Sequence, residues 1–190
     1  MKKLIALAVL GLTGNLAHAQ TTPLTKGRGL LSGSIGYHRD SYGSTSTDAF
    51  EFAPSVGKFV ADNLLLGINA NLLLNGYSSN YNSPATTTKS LAVGPFARYY
   101  RFVGGDKFAL FGQGSLGYLH TQLGSFNDAT LNQGYVSITP GLSFFPIPRF
   151  GLEASLRGLS YATNFDQASS LDLGFSLRNI QIGAAYYFGK

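Results

Sequence analysis

Apolar side chains recur at every second position through most of this chain, alternating with Gly, Ser, Ala, Thr and Asn. From Ser90 to Tyr99 the odd positions Leu91, Val93, Pro95, Ala97 and Tyr99 are apolar, while the even set is mostly small and ends at Arg98. Gln133 to Phe144 repeats the pattern, with Val136, Ile138, Pro140, Leu142 and Phe144 set against Ser137, Thr139, Gly141 and Ser143. A period of two identifies strands, because successive side chains point to opposite faces of a sheet. A soluble sheet would carry Lys and Glu on its outer face. Here the second face is small and mildly polar, which fits a barrel with lipid outside and compact polar packing within. Val93 and Ile138 are then lipid-facing, and Ala92 and Ser137 are lumenal.

The pattern predicts an all-β, eight-stranded antiparallel up-and-down transmembrane barrel. Its strands run over 29–39, 48–60, 63–76, 88–102, 107–122, 133–146, 149–162 and 170–188. Each reaches or exceeds the roughly 9–11 residues that a tilted strand needs to cross the hydrocarbon. Ala61-Asp62-Asn63, Val103-Gly104-Gly105-Asp106 and Pro146-Ile147-Pro148 read as tight turns, whereas 40–47, 75–87, 123–132 and 163–169 read as long polar loops. Short turns at one end and long loops at the other match an outer-membrane barrel, with the turns in the periplasm. An even strand count leaves both termini on that side.

Pro54, Pro95 and Pro140 each precede an aromatic near a short turn, a loose hairpin period of roughly forty residues. A closed barrel has no edge to hide a missing N–H, so a bulge or bend is expected at each. Phe59, Tyr99, Tyr100, Phe102, Phe108, Phe144, Phe145, Phe150, Tyr186, Tyr187 and Phe188 gather at the short-turn ends. Tyr37, Phe50, Tyr118, Tyr135 and Tyr161 gather at the other, so two aromatic girdles are expected. In the last strand the apolar set moves from odd (Leu171, Leu173, Phe175, Leu177) to even (Ile180, Ile182, Ala184, Tyr186, Phe188). One extra residue reverses every later side chain, so a bulge is expected at Arg178-Asn179.

The N-terminus sets the compartment. Met1-Lys2-Lys3 is a basic start, Leu4 to Leu12 is an apolar run too short to span a bilayer, and Ala17-His18-Ala19 is a small-x-small cleavage site. Residues 1–19 are therefore expected to be a secretory signal peptide, and residues 20–190 the barrel domain. There is no cysteine, so stability rests on burial and hydrogen bonding. The formal charge of +5 includes Lys2 and Lys3, and the other cations are scattered singly, which argues against nucleic-acid binding. A secreted lipocalin-like barrel would need a charged exterior, and only 12% of residues are charged.

Phe52-Ala53-Pro54-Ser55-Val56-Gly57-Lys58-Phe59-Val60-Ala61-Asp62-Asn63-Leu64 resembles the strand-turn-strand signature of small Gram-negative outer-membrane β-barrel domains. Gly94-Pro95-Phe96-Ala97-Arg98-Tyr99-Tyr100 and Gly183-Ala184-Ala185-Tyr186-Tyr187-Phe188 are similar to other segments of those domains. The resemblance covers residues 20–190 and implies an OmpA- or OmpX-type barrel in the cell outer membrane. It also implies partners in outer-membrane lipid and the barrel-insertion machinery, which reads a terminal aromatic. That group has no single shared biochemical activity.

An eight-stranded interior is just wide enough for side chains to fill it, which disfavours a wide pore. The expected function is therefore non-enzymatic: an envelope-structural or surface-interaction barrel with a side-chain-filled lumen and no cofactor. The alternatives are an outer-leaflet lipid-modifying enzyme and a narrow pore. For the enzyme, His38, Asp40 and Ser41 lie together at the outer end of strand 1, and His120 ends strand 5. A Ser nucleophile needs a base within hydrogen-bond reach and a group orienting that base, whereas strand neighbours face opposite ways. Three histidines, one in the leader, make no metal-ligand cluster. Parity places four charges inside the barrel: Arg98, Glu153, Arg157 and Glu51. Two acids and two bases neutralise each other, as a narrow lumen requires. An Arg98–Glu153–Arg157 network is expected, with Glu51 joining through strand tilt.

Overall fold

A computed structural model describes residues 24–43, 45–79, 83–103, 105–124, 129–164, 169–174 and 180–189. The expected leader and the expected bulge at Arg178-Asn179 lie outside the described residues. Among the described residues ten strand segments build eight antiparallel barrel strands. They are β1 (Gly29–Tyr42), β2 (Thr45–Ala61), β3 (Leu64–Ser79), β4 (Ser83–Phe102), β5 (Phe108–Gly124), β6 (Thr130–Ile147), β7 (Phe150–Leu156), β8 (Gly158–Thr163), β9 (Ser169–Gly174) and β10 (Ile180–Phe188). The seventh barrel strand is β7 continued by β8, and the eighth is β9 followed by β10. Neighbours in sequence pair in turn, and β1 meets β10 from Gly29↔Phe188 to Ile35↔Ile182, which closes the barrel. Beyond Ile35, β1 pairs only with β2 among the described residues.

The alternation read from the sequence becomes the two faces of the wall. Val93 and Ile138 are 43% and 54% exposed on the outside, as are Leu31, Ile68, Leu116 and Ile182. Ser32, Ser55, Ser115 and Ser155 are buried within. Exposed apolar residues surround the whole barrel, which makes sense only where lipid replaces water.

The strands run past the expected loop boundaries. β1 and β2 continue to Tyr42 and Thr45, so most of 40–47 is paired strand rather than loop. Ser and Thr suit such extensions because their hydroxyls bond across strands, as Ser46 Oγ and Ser78 Oγ do at 2.8 Å. The turn at Asp62-Asn63 is tight, with Asn63 in the left-handed region at φ 63°.

Of the bulge or bend expected at each proline, a bulge is found beside Pro140 and not at Pro54 or Pro95. At Pro54 and Pro95 the ladder to one neighbour skips a step and resumes in the same register, with no bulge. Pro140 does face a bulge, but the extra residue belongs to the seventh strand. β6 pairs Gly141 with Ser155 below the break and Ile138 with Leu159 above it, which shifts the register by one. Arg157 and Gly158 absorb the shift, and Gly158 adopts φ 71°. A Cβ on Gly158 would lie 1.9 Å from the Ile138 carbonyl oxygen, so only glycine fits.

The short-turn aromatics divide by parity. Tyr99, Phe108, Tyr186 and Phe188 face outward as a girdle, but Phe59, Tyr100, Phe145 and Tyr187 are buried inside. With Leu24, Leu30, Leu65, Phe96 and Phe111 they form an apolar core across the short-turn end of the lumen. Leu24 reaches this core because the chain before β1 folds under the barrel, where the Asn63 N–H donates to the Leu24 carbonyl at 2.9 Å.

Candidate functional site

Among the described residues the largest convergence of polar and charged side chains is in the lumen, which has a floor and a chamber. The floor begins with the strand period. Arg98 and Tyr100 both point inward from β4, so the guanidinium rises beside the phenol on the same wall. Arg98 Nη1 donates to both carboxylate oxygens of Glu153, at 3.0 and 2.9 Å, across the lumen from β4 to β7. It also donates to Tyr100 Oη at 2.9 Å, while Nε donates to Gln113 Oε1 at 2.8 Å. Glu153 Oε1 accepts from Tyr187 Oη at 3.2 Å and from Ser143 Oγ and Tyr100 Oη at 3.3 Å. The guanidinium carbon lies 4.5 Å from the Phe111 ring centre, a cation–π contact beneath the ion pair.

Arg98 and Glu153 are 6% and 8% exposed, so both charges are largely withdrawn from water. A buried pair is tolerable only when its remaining donors and lone pairs are also satisfied. Here Tyr100, Gln113, Ser143 and Tyr187 hydrogen-bond to the pair from four barrel strands. Phe59, Tyr100, Phe145 and Tyr187 pack directly against one another at centroid distances of 5.4–6.5 Å.

Arg157 does not join this pair. Its Nη2 donates to Glu51 Oε2 at 3.2 Å, and its Nη1 lies 3.7 Å from Asp172 Oδ2. Asn71 Nδ2 donates to the other oxygen of Glu51. The expected single network is therefore two separate clusters, a buried one on the floor and a more exposed one above it. The bulge explains the separation, since Arg157 sits where the seventh strand turns from one register to the next. Asp172 was not anticipated as a member.

Nor is the lumen filled by side chains throughout. Above the floor a cavity of about 260 Å³ extends from Arg98 and Glu153 up to Ser170 and Asp172. Its walls are largely Ser, Ala, Asn and Gln, whose small volumes leave the upper barrel hollow. Asn69 Oδ1 and Tyr135 Oη are buried on this wall without a hydrogen-bond partner. Water or a small polar solute would complete their bonding.

The rim residues do not assemble a triad. His38 Nε2 and Asp40 Oδ2 are 2.7 Å apart, both on the lumenal parity of β1. Ser41 has the opposite parity and faces away from them. His120 is on β5, outward, with its Nδ1 2.7 Å from Asn132 Oδ1. Among the described residues no serine hydroxyl bonds to His38, and no three metal-ligating side chains converge.

No protein-family model matches the chain, and no curated protein matches its sequence. Solved structures do match its fold. The crystal structure of Neisserial surface protein A superposes with a TM-score of 0.57 at 16% identity, covering 86% of this chain and 98% of that one. The outer membrane protein OprG from Pseudomonas aeruginosa gives 0.51 at 10% identity, covering 89% and 100%. The shared architecture is the small outer-membrane β-barrel, as the sequence resemblance implied. This fold and the apolar belt together place the chain in the outer membrane, in contact with its lipid.

Proposed function

We propose that the protein is a non-enzymatic outer-membrane barrel that stabilises the envelope and presents its loop-end hairpins to the exterior. In this reading residues 1–19 are removed on export, and the barrel-insertion machinery receives residues 20–190. The Arg98–Glu153 pair, set in an aromatic floor, carries the proposal. It ties opposite walls together and blocks the lumen at the short-turn end, which suits a structural element and opposes a channel. The separation of Ser41 and His120 from the His38–Asp40 pair weighs against acyl transfer at the rim.

A deletion strain tests the role. Raised sensitivity to detergent and bile salts, reversed by the wild-type gene, supports an envelope function. Unchanged sensitivity accompanied by an altered lipid A acyl pattern overturns it in favour of an enzyme.

A further inference from the structure

The charges of this barrel are divided between its ends. At the short-turn end, among the described residues, Lys26, Arg28, Lys58, Arg101, Lys107 and Arg149 stand against Asp62 and Asp106. At the other end, among the described residues and outside the lumenal clusters, Arg39 and Lys89 stand against Asp40 and Asp48. Two of the short-turn cations do not belong to turns. Lys58 lies on the outer face of β2 between exposed Val56 and Val60, opposite exposed Leu66 on β3. Arg101 lies on the outer face of β4 between exposed Tyr99 and Val103, opposite exposed Leu110 on β5.

Both side chains are exposed, and neither makes an ion pair among the described residues. A cation on a lipid-facing strand position has one natural partner. Its aliphatic stem lies along the apolar wall while its charge reaches for the headgroup phosphates at the interface. The girdle of Tyr99, Phe108, Tyr186 and Phe188 marks that interface, since such rings settle at headgroup depth. The positive excess there makes a net negative headgroup preferable to a zwitterionic one.

We propose that Lys58 and Arg101, reinforced by the basic turns, form a binding rim for anionic phospholipid headgroups in the leaflet at the short-turn end. The rim holds annular lipid of the phosphatidylglycerol type in preference to phosphatidylcholine. This goes beyond the envelope role, because it assigns a lipid class and a leaflet to particular side chains.

Native mass spectrometry of the barrel released from nanodiscs of mixed phosphatidylglycerol and phosphatidylcholine tests it. Wild type should emerge with phosphatidylglycerol adducts enriched, and added salt before release should reduce them. The double substitution Lys58→Gln with Arg101→Gln should lower the enrichment about thirtyfold, from roughly one kcal/mol for each of the two interfacial cations. Lys58→Arg with Arg101→Lys should restore it. The loop-end double substitution Arg39→Gln with Lys89→Gln should leave it intact. Heat-modifiable mobility in SDS confirms that each variant is folded, and neither exposed site belongs to the buried core. Equal retention of the two lipids by wild type overturns the proposal. So does loss of enrichment in the loop-end variant with none in the Lys58/Arg101 variant.

Discussion

Arg98 and Glu153 meet across the lumen at 2.9 Å, from strands that are not neighbours in the barrel wall. Backbone pairing cannot hold β4 to β7, so the side chains supply a strut that the sheet lacks. The strut lies on rings rather than in water, which sets its energetic sign. Losing one partner leaves the other charged and buried.

Glu153→Ala should therefore destabilise the barrel by about 3–5 kcal/mol, the cost of an uncompensated buried charge. Arg157→Ala should cost about 1 kcal/mol or less, because Arg157 is one-third exposed and its pair with Glu51 is screened. Urea unfolding in detergent micelles measures both. Equal costs for the two would show that water reaches the floor.

The two faces differ in what they tolerate. Ile138→Arg puts a charge against lipid and should cost about 2–4 kcal/mol near the midplane, less toward an interface. Ser137→Arg points into the lumen and tests packing and charge instead. Labelling of single cysteines by a lipid-phase probe decides the faces directly: Val93→Cys and Ile138→Cys should react, Ala92→Cys and Ser137→Cys should not. The reverse result would invert the barrel wall.

Gly158→Ala should destabilise by about 1–3 kcal/mol, since Ala must take a left-handed conformation. The Ile138 carbonyl, 1.9 Å from the new Cβ, must also move. Gly112→Ala is the control, because nothing lies within 4 Å of its Cβ position. Equal unfolding midpoints for the two would show that the bulge does not constrain residue 158.

Replacing His38, Ser41 or His120 by Ala should leave the lipid profile of the outer membrane unchanged. Mass spectrometry of lipid A from each strain provides the check. An acyl change that follows His38 would give the rim a catalytic role that its hydrogen bonds do not suggest.

Most of the barrel was legible because lipid outside and polar packing inside impose a period of two on every strand. Val93 and Ile138 lie where their parity put them. The same rule, applied strictly, would have divided the aromatic doublets. Tyr99 and Tyr100 are adjacent in a strand, so one had to face inward, as did one of Phe144 and Phe145 and one of Tyr186 and Tyr187. Assigning all of them to a girdle concealed the floor. The seventh-strand bulge also left a trace, with outward Leu152 on even parity and outward Tyr161 on odd. Arg157, which keeps the parity of Glu153, masks that trace. Leu24 offered no signal at all, since it precedes the first periodic residue. The separation of Arg157 from Glu153 depended on that bulge, and so could not be anticipated without it.

Planar-bilayer recording of the purified barrel tests the closed floor most directly. Wild type should show no steady conductance, because the Arg98–Glu153 pair and the rings beneath it occupy the short-turn end of the lumen. Steady wild-type conductance, with ion selectivity that changes in Glu153→Ala, would show instead that these charges line an open path.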